Sequence, residues 1–169
     1  MKRLFNLLGH IGLVITLKSV AGEYHYDNYS LDSEKWKLPI SFYFNFDESY
    51  MLDPTNEYSS IKVCEKKSEY FCVKARQFLF ALPHKGANPG DGWEIESKYF
   101  TVKSKVDLQV FGSNYATYLI EMTTEEGLKL QYFYSKEKGL LAFSLSSLED
   151  DSTEMFWLRE GKGMGINPK

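Results

Sequence analysis

Two stretches of the chain alternate with a period of two. Ile40, Phe42, Phe44 and Phe46 are separated by Ser41, Tyr43 and Asn45, and Leu128, Leu130, Tyr132 and Tyr134 by Lys129, Gln131, Phe133 and Ser135. Successive side chains of a strand point to opposite faces, so both stretches read as strands. Tyr115 to Thr123 sets Tyr118, Ile120 and Met122 on one face, and Leu140 to Leu145 continues the series. The turn-forming runs Thr124-Glu125-Glu126-Gly127 and Lys136-Glu137-Lys138-Gly139 separate them. Upstream, the strand that begins at Tyr70 is expected to run on toward Leu82, with Phe78, Phe80 and Leu82 on one face, and to stop at Pro83. A short hairpin is predicted from Trp93-Glu94-Ile95 to Tyr99-Val102 around Ser97-Lys98, Val106 to Phe111 alternates, and Met155 to Leu158 forms a closing strand.

Turns spaced by roughly ten residues are those of an antiparallel meander. The expected fold is mostly β, a single domain over 23–169 with little helix, whose meander forms a curved sheet, a half-barrel or a small barrel. There is no internal repeat, linker or second domain. From about residue 160, the run Gly161-Lys162-Gly163-Met164-Gly165 reads as the start of a flexible tail.

The first 22 residues follow a different logic. Lys2 and Arg3 precede an apolar run, Leu4 to Leu17, broken only by Asn6, His10 and Thr16, and Ser19-Val20-Ala21-Gly22 supplies small residues. Basic, apolar and small in that order is the pattern of a signal peptide, with cleavage after Ala21 or Gly22. The competing reading is an N-terminal helix buried in the mature fold. A run of about 14 residues is too short to cross a bilayer core of about 30 Å, so the processed chain is not expected to span a membrane. Export places the protein in the periplasm of a Gram-negative host and outside the cell otherwise.

Export changes what the cysteines and the charge mean. Cys64 and Cys72 lie in Ile61-Cys64 and Tyr70-Val73, which a hairpin centred on Ser68 sets opposite each other as a non-hydrogen-bonded pair with Cα atoms about 4.5 Å apart, so a disulfide is expected in an oxidising compartment. Their spacing fits neither a thiol oxidoreductase nor, with so few histidines, a zinc site. The formal charge is −3 for the whole chain. Loss of Lys2, Arg3 and Lys18 leaves 17 basic against 23 acidic side chains, a net −6. Such a surface repels phosphates, which argues against a nucleic-acid partner and is compatible with a basic protein partner.

Candidate chemistry is sparse. His84 ends a strand in a glycine-rich loop, where a general base can sit, but no nucleophile in a strained turn and no orienting acid accompanies it. Gly86, Gly90 and Gly92 precede a strand rather than a helix, unlike a phosphate loop. The acidic clusters at 47–48 and 149–151 lack the alternation of a calcium loop, so neither a metal nor a cofactor is expected.

Aromatic residues are 16% of the chain, with twelve Tyr and twelve Phe, enough to ask whether some form a binding surface rather than a core covered on both faces. The candidate binding residues are Tyr132, Tyr134, Phe133, Tyr43, His84 and Trp93. The leading expectation is a non-enzymatic exported binding protein acting on a protein partner, as an inhibitor or immunity protein does, or on a hydrophobic small ligand, as a carrier does. The alternatives are a small secreted hydrolase with a dispersed site that includes His84, and a structural component of an envelope assembly. Oligomeric state is left open.

Overall fold

The computed structural model describes residues 22–28, 40–65, 68–76, 78–124, 129–146 and 152–165. The expected signal peptide, except Gly22, lies outside them. Strands β1 (Glu23–Asn28), β2 (Ile40–Asn45), β3 (Tyr50–Leu52) and β4 (Tyr58–Ser60) form a first meander, and β5 (Lys62–Val63), β6 (Tyr70–Ala75) and β7 (Phe78–Pro83) a second. A third runs through β8 (Gly92–Ile95), β9 (Lys98–Val110), β10 (Ser113–Thr123), β11 (Lys129–Ser135), β12 (Gly139–Ser146) and β13 (Thr153–Leu158). No helix occurs among the described residues.

The first and third meanders merge into one antiparallel sheet of ten strands, ordered β4-β3-β2-β1-β13-β12-β11-β10-β9-β8. Their seam is β1 against β13, with Tyr26 opposite Leu158 and Asp27 opposite Trp157. The Arg159 guanidinium clamps the buried Asp27 carboxylate beside this seam through two bonds of 2.8 and 2.9 Å. The fold is mostly β as expected. β4 and β8 end the sheet without pairing, so the small-barrel form of the expectation falls and an open curved sheet stands.

Period-two alternation carries buried rows across this sheet. Trp93, Phe100, Met122 and Leu130 form one row, and Val102, Ile120, Tyr132, Phe143 and Phe156 another. The second meander, a separate sheet ordered β5-β6-β7, covers this face. Phe78 of β7 meets Phe44, Phe143 and Tyr132 at ring distances of 4.9, 5.1 and 6.2 Å. Phe80 lies 5.2 Å from Tyr132, whose hydroxyl donates to the Leu79 carbonyl. Each fully buried aromatic contributes about 1.5–3 kcal/mol. The face expected from Phe78, Phe80 and Leu82 is the one turned to the large sheet, but Leu79, Ala81 and Pro83 are buried as well.

Three details differ from the sequence reading. The second strand of the cysteine hairpin does not run on to Leu82; the chain reverses after Ala75, and β7 folds back along β6 from Phe78 to Pro83. The Cys64–Cys72 disulfide forms in the expected register, with Lys62 opposite Lys74 and Val63 opposite Val73. Its Cα atoms are 5.1 Å apart, wider than the non-hydrogen-bonded pairing expected, because the Cys64 N–H donates to the Cys72 carbonyl. The chain end is not free as far as it is described. Met164 is fully buried, and Gly163 N–H donates to the Lys138 carbonyl at 2.7 Å. A Cβ on Gly139 or Gly163 would overlap the opposing backbone, which explains glycine at both. The flexible tail expected from about 160 is therefore corrected through 165, and residues 166–169 lie outside the described residues.

The β9–β10 hairpin outruns its neighbours. β8 covers β9 only from Lys98 to Thr101, and β11 covers β10 only from Tyr118 to Thr123. The remainder, Lys105 to Thr117, projects as a two-stranded arm that turns at Phe111-Gly112.

Candidate functional site

The six sequence candidates fall in three places. Tyr132 is fully buried under β7, which removes it from any binding surface. Phe133 points to the opposite face of the sheet, in a cross-strand row with Leu119, Ala142 and Trp157. Tyr43 is on that same outer face near the β4 edge. Its ring lies 4.5 Å from His25 and 5.7 Å from Tyr50, and Tyr50 stacks at 5.4 Å on Tyr58, which is exposed. Burial, followed by the neighbouring Arg159 charge, lowers the His25 pKa below its ordinary value.

His84, Trp93 and Tyr134 come together at one end of the molecule. Pro83 ends β7, and the following loop, 84–91, crosses back to β8 beneath the base of the long hairpin. Two backbone bonds fix it there, Gly90 N–H to the Val102 carbonyl and Val102 N–H to the Asp91 carbonyl. His84 N–H donates to the Glu69 carbonyl at 2.9 Å, which extends the β6–β7 pairing by one step. A cleft opens on each side of this loop. The larger, about 490 Å³, includes Glu69, Tyr70, His84, Asp91 and Trp93 in its walls. The second, about 240 Å³, lies between His84, Lys85, Val102, Tyr118, Tyr134 and Lys136. A third of about 240 Å³ shares Tyr118 and Lys136 with the second and continues to Lys105 and Glu137.

The three clefts form a row along the rim: the first two have residues 84–87 of the loop as their common wall, and the second and third have Tyr118 and Lys136 in common. The floor of this groove is aromatic, with Trp93 stacked on Phe100 at 5.6 Å and Tyr134 packed 6.0 Å from Phe80. Its charge is uneven. Glu69 and Asp91 line the wide cleft together with Lys85, which also lines the second, while Lys136 lines the second and third, and Lys105 and Glu137 the third. Trp93 is 6% exposed, and its Nε1 has no hydrogen-bond partner among the described residues. An unpaired buried donor costs about 1–3 kcal/mol, which an acceptor reaching it would recover.

Catalytic pairing is not seen around His84. No side-chain hydrogen bond to its ring is found among the described residues, and the one side-chain bond seen for Asp91 is accepted from the Asn88 N–H at 2.8 Å. No group of three or more metal-ligating side chains occurs among the described residues. Sequence reasoning singled out His84 and Trp93 but missed Tyr118 and Lys136, the residues that join the clefts. Tyr118 was legible only as a core-facing strand residue, and Lys136 only as part of a turn.

Compared with protein families, curated proteins and solved structures, the chain matches none. The groove is therefore interpreted from its own geometry.

Proposed function

We propose that the protein is an exported binding protein, not an enzyme, and that it holds an elongated ligand in the rim groove. The observation that carries this is the run of three adjoining clefts, walled by Trp93, Tyr134 and Tyr118 from three separate strands and bridged by His84 and Lys85. Aromatic walls with a few polar groups are what small-ligand sites offer. The Cys64–Cys72 disulfide supports maturation in an oxidising compartment. An interior carrier site is disfavoured, because Phe78 and Phe80 occupy the sheet face that such a carrier would leave open.

The test is mass spectrometry of aqueous and organic extracts of the protein purified from its own host, beside the His84→Trp variant. His84 is exposed and borders the first two clefts, so a tryptophan there projects into them without disturbing the core. A ligand present at near-stoichiometric amounts in the wild type and lost from the variant is the expected result. No ligand in either, or equal amounts in both, overturns the proposal.

A further inference from the structure

We infer that the narrow end of the groove is an oxyanion seat, made for a phosphate, sulfate or carboxylate group carried by the ligand. The inference rests on the rim-groove reading and names the chemistry of one end of it. Lys105 and Lys136 both approach the ring of Tyr118, with their ammonium nitrogens 5.5 and 5.2 Å from its centre. They come from the two sides of β10: Lys105 is the cross-strand partner of Tyr118 on β9, and Lys136 follows Tyr134, the partner of Tyr118 on β11, by two residues. The Tyr118 ring faces these two cations and borders both narrow clefts, while Lys85 reaches the nearer one from the loop.

Gathering like charges on one ring is costly unless something offsets it. The ring quadrupole offsets part, about 0.5–1 kcal/mol per exposed cation. Neither Lys85, Lys105 nor Lys136 has an ion pair among the described residues, whereas Lys74, Lys103 and Arg159 pair with Glu96, Glu121 and Asp27. Glu137 is the carboxylate that shares the third cleft, and its backbone N–H donates to Ser135 Oγ at 3.3 Å. In a chain of formal charge −3, a concave patch with three ammonium groups runs against the overall sign. An oxyanion between Lys105 and Lys136 would gain charge-assisted hydrogen bonds from both and relieve their repulsion. The aromatic groove beyond would take the ligand's body, which separates this seat from a nonspecific basic surface.

The experiment is an NMR titration of the full chain with inorganic phosphate and, separately, acetate, following the amides of residues 84–87, 116–118 and 135–138. Saturable shifts confined to these residues are expected. The double variant Lys105→Gln, Lys136→Gln should weaken the apparent affinity at least about tenfold. Lys62→Gln, an exposed lysine on β5, should not change it. All three lysines are exposed, and unchanged melting of each variant confirms that the fold is intact. The absence of saturable shifts, or equal affinity in the double variant, overturns the inference. If His84→Trp releases the native ligand while phosphate and acetate fail to bind, the groove stands and the oxyanion seat falls. If the anions bind as expected but the native ligand ignores His84→Trp, the seat stands and the groove reading falls.

Discussion

Strand β7 and the outer half of the β9–β10 hairpin begin from similar material and end in opposite states. β7 reads Phe-Leu-Phe-Ala-Leu-Pro and is buried at all six positions. The hairpin arm carries Val106, Leu108, Val110 and Tyr115 on one face, yet each stays partly exposed. The difference is what lies beyond each strand. β7 is pressed onto the aromatic face of the large sheet, while the arm has passed the ends of both neighbouring strands. Burial here is set by tertiary placement, and alternation alone does not report it. The two regions therefore respond to substitution on different scales.

The largest effect belongs to Phe78→Ala. It removes a ring that contacts Phe44, Tyr132 and Phe143, and should cost about 3–5 kcal/mol in chemical denaturation. A cost below 1 kcal/mol would show that β7 does not anchor the two sheets together. Next is the staple that holds β6, and through it β7. Replacing Cys64 and Cys72 together with Ser should lower stability by about 2–3 kcal/mol while leaving a folded β protein, because closing a short loop mainly restricts the unfolded chain. Comparing the melting of the double variant with reduced and oxidised wild type measures it.

Tyr132→Phe probes a polar tie between the large sheet and β7. Loss of the hydroxyl leaves the buried Leu79 carbonyl without that donor, at about 1–2 kcal/mol, read from the denaturation midpoint. The arm should behave in the opposite sense. Phe111 sits at the turn with φ 53° and is 49% exposed, a conformation that suits Asn better than a bulky side chain. Phe111→Asn should stabilise by about 0.5–1 kcal/mol, and a destabilised variant would mean that Phe111 is packed in solution. The smallest effect lies in neither region. His25 has a folded-state pKa below its unfolded 6.5, so its contribution is fully present above 6.5 and is lost as pH falls through the folded value. Between pH 7.5 and 5 the wild type should lose more stability than His25→Gln.

Much of the large sheet was legible in the sequence. The alternation at 40–46 and 128–135 gave β2 and β11 with the correct inward faces, and the cysteine spacing gave its own register, because these depend on neighbours along the chain. Two other features depend on distant partners. The reversal after Ala75 makes a separate strand of residues that otherwise read as a continuation, and Met164 is buried by contacts with the β11–β12 turn and Tyr26. The site was legible in parts. His84 and Trp93 stood out by residue type, while Tyr132, with the same aromatic character, belongs to the core. Lys105, Tyr118 and Lys136 become one feature only once β9, β10 and the β11–β12 turn are side by side.

The seam between β1 and β13 also governs when the molecule can fold. Asp27 and Arg159, which lock it, are 132 residues apart in sequence. As the chain is synthesised, β1 to β4 are complete before β13, so one edge of β1 stays unpaired until β13 arrives. Contacts of such long sequence separation form slowly, since loop closure precedes any gain from pairing. Until β13 closes it, that edge of β1 carries unpaired hydrogen-bonding groups that another strand, an unfinished chain included, can take up.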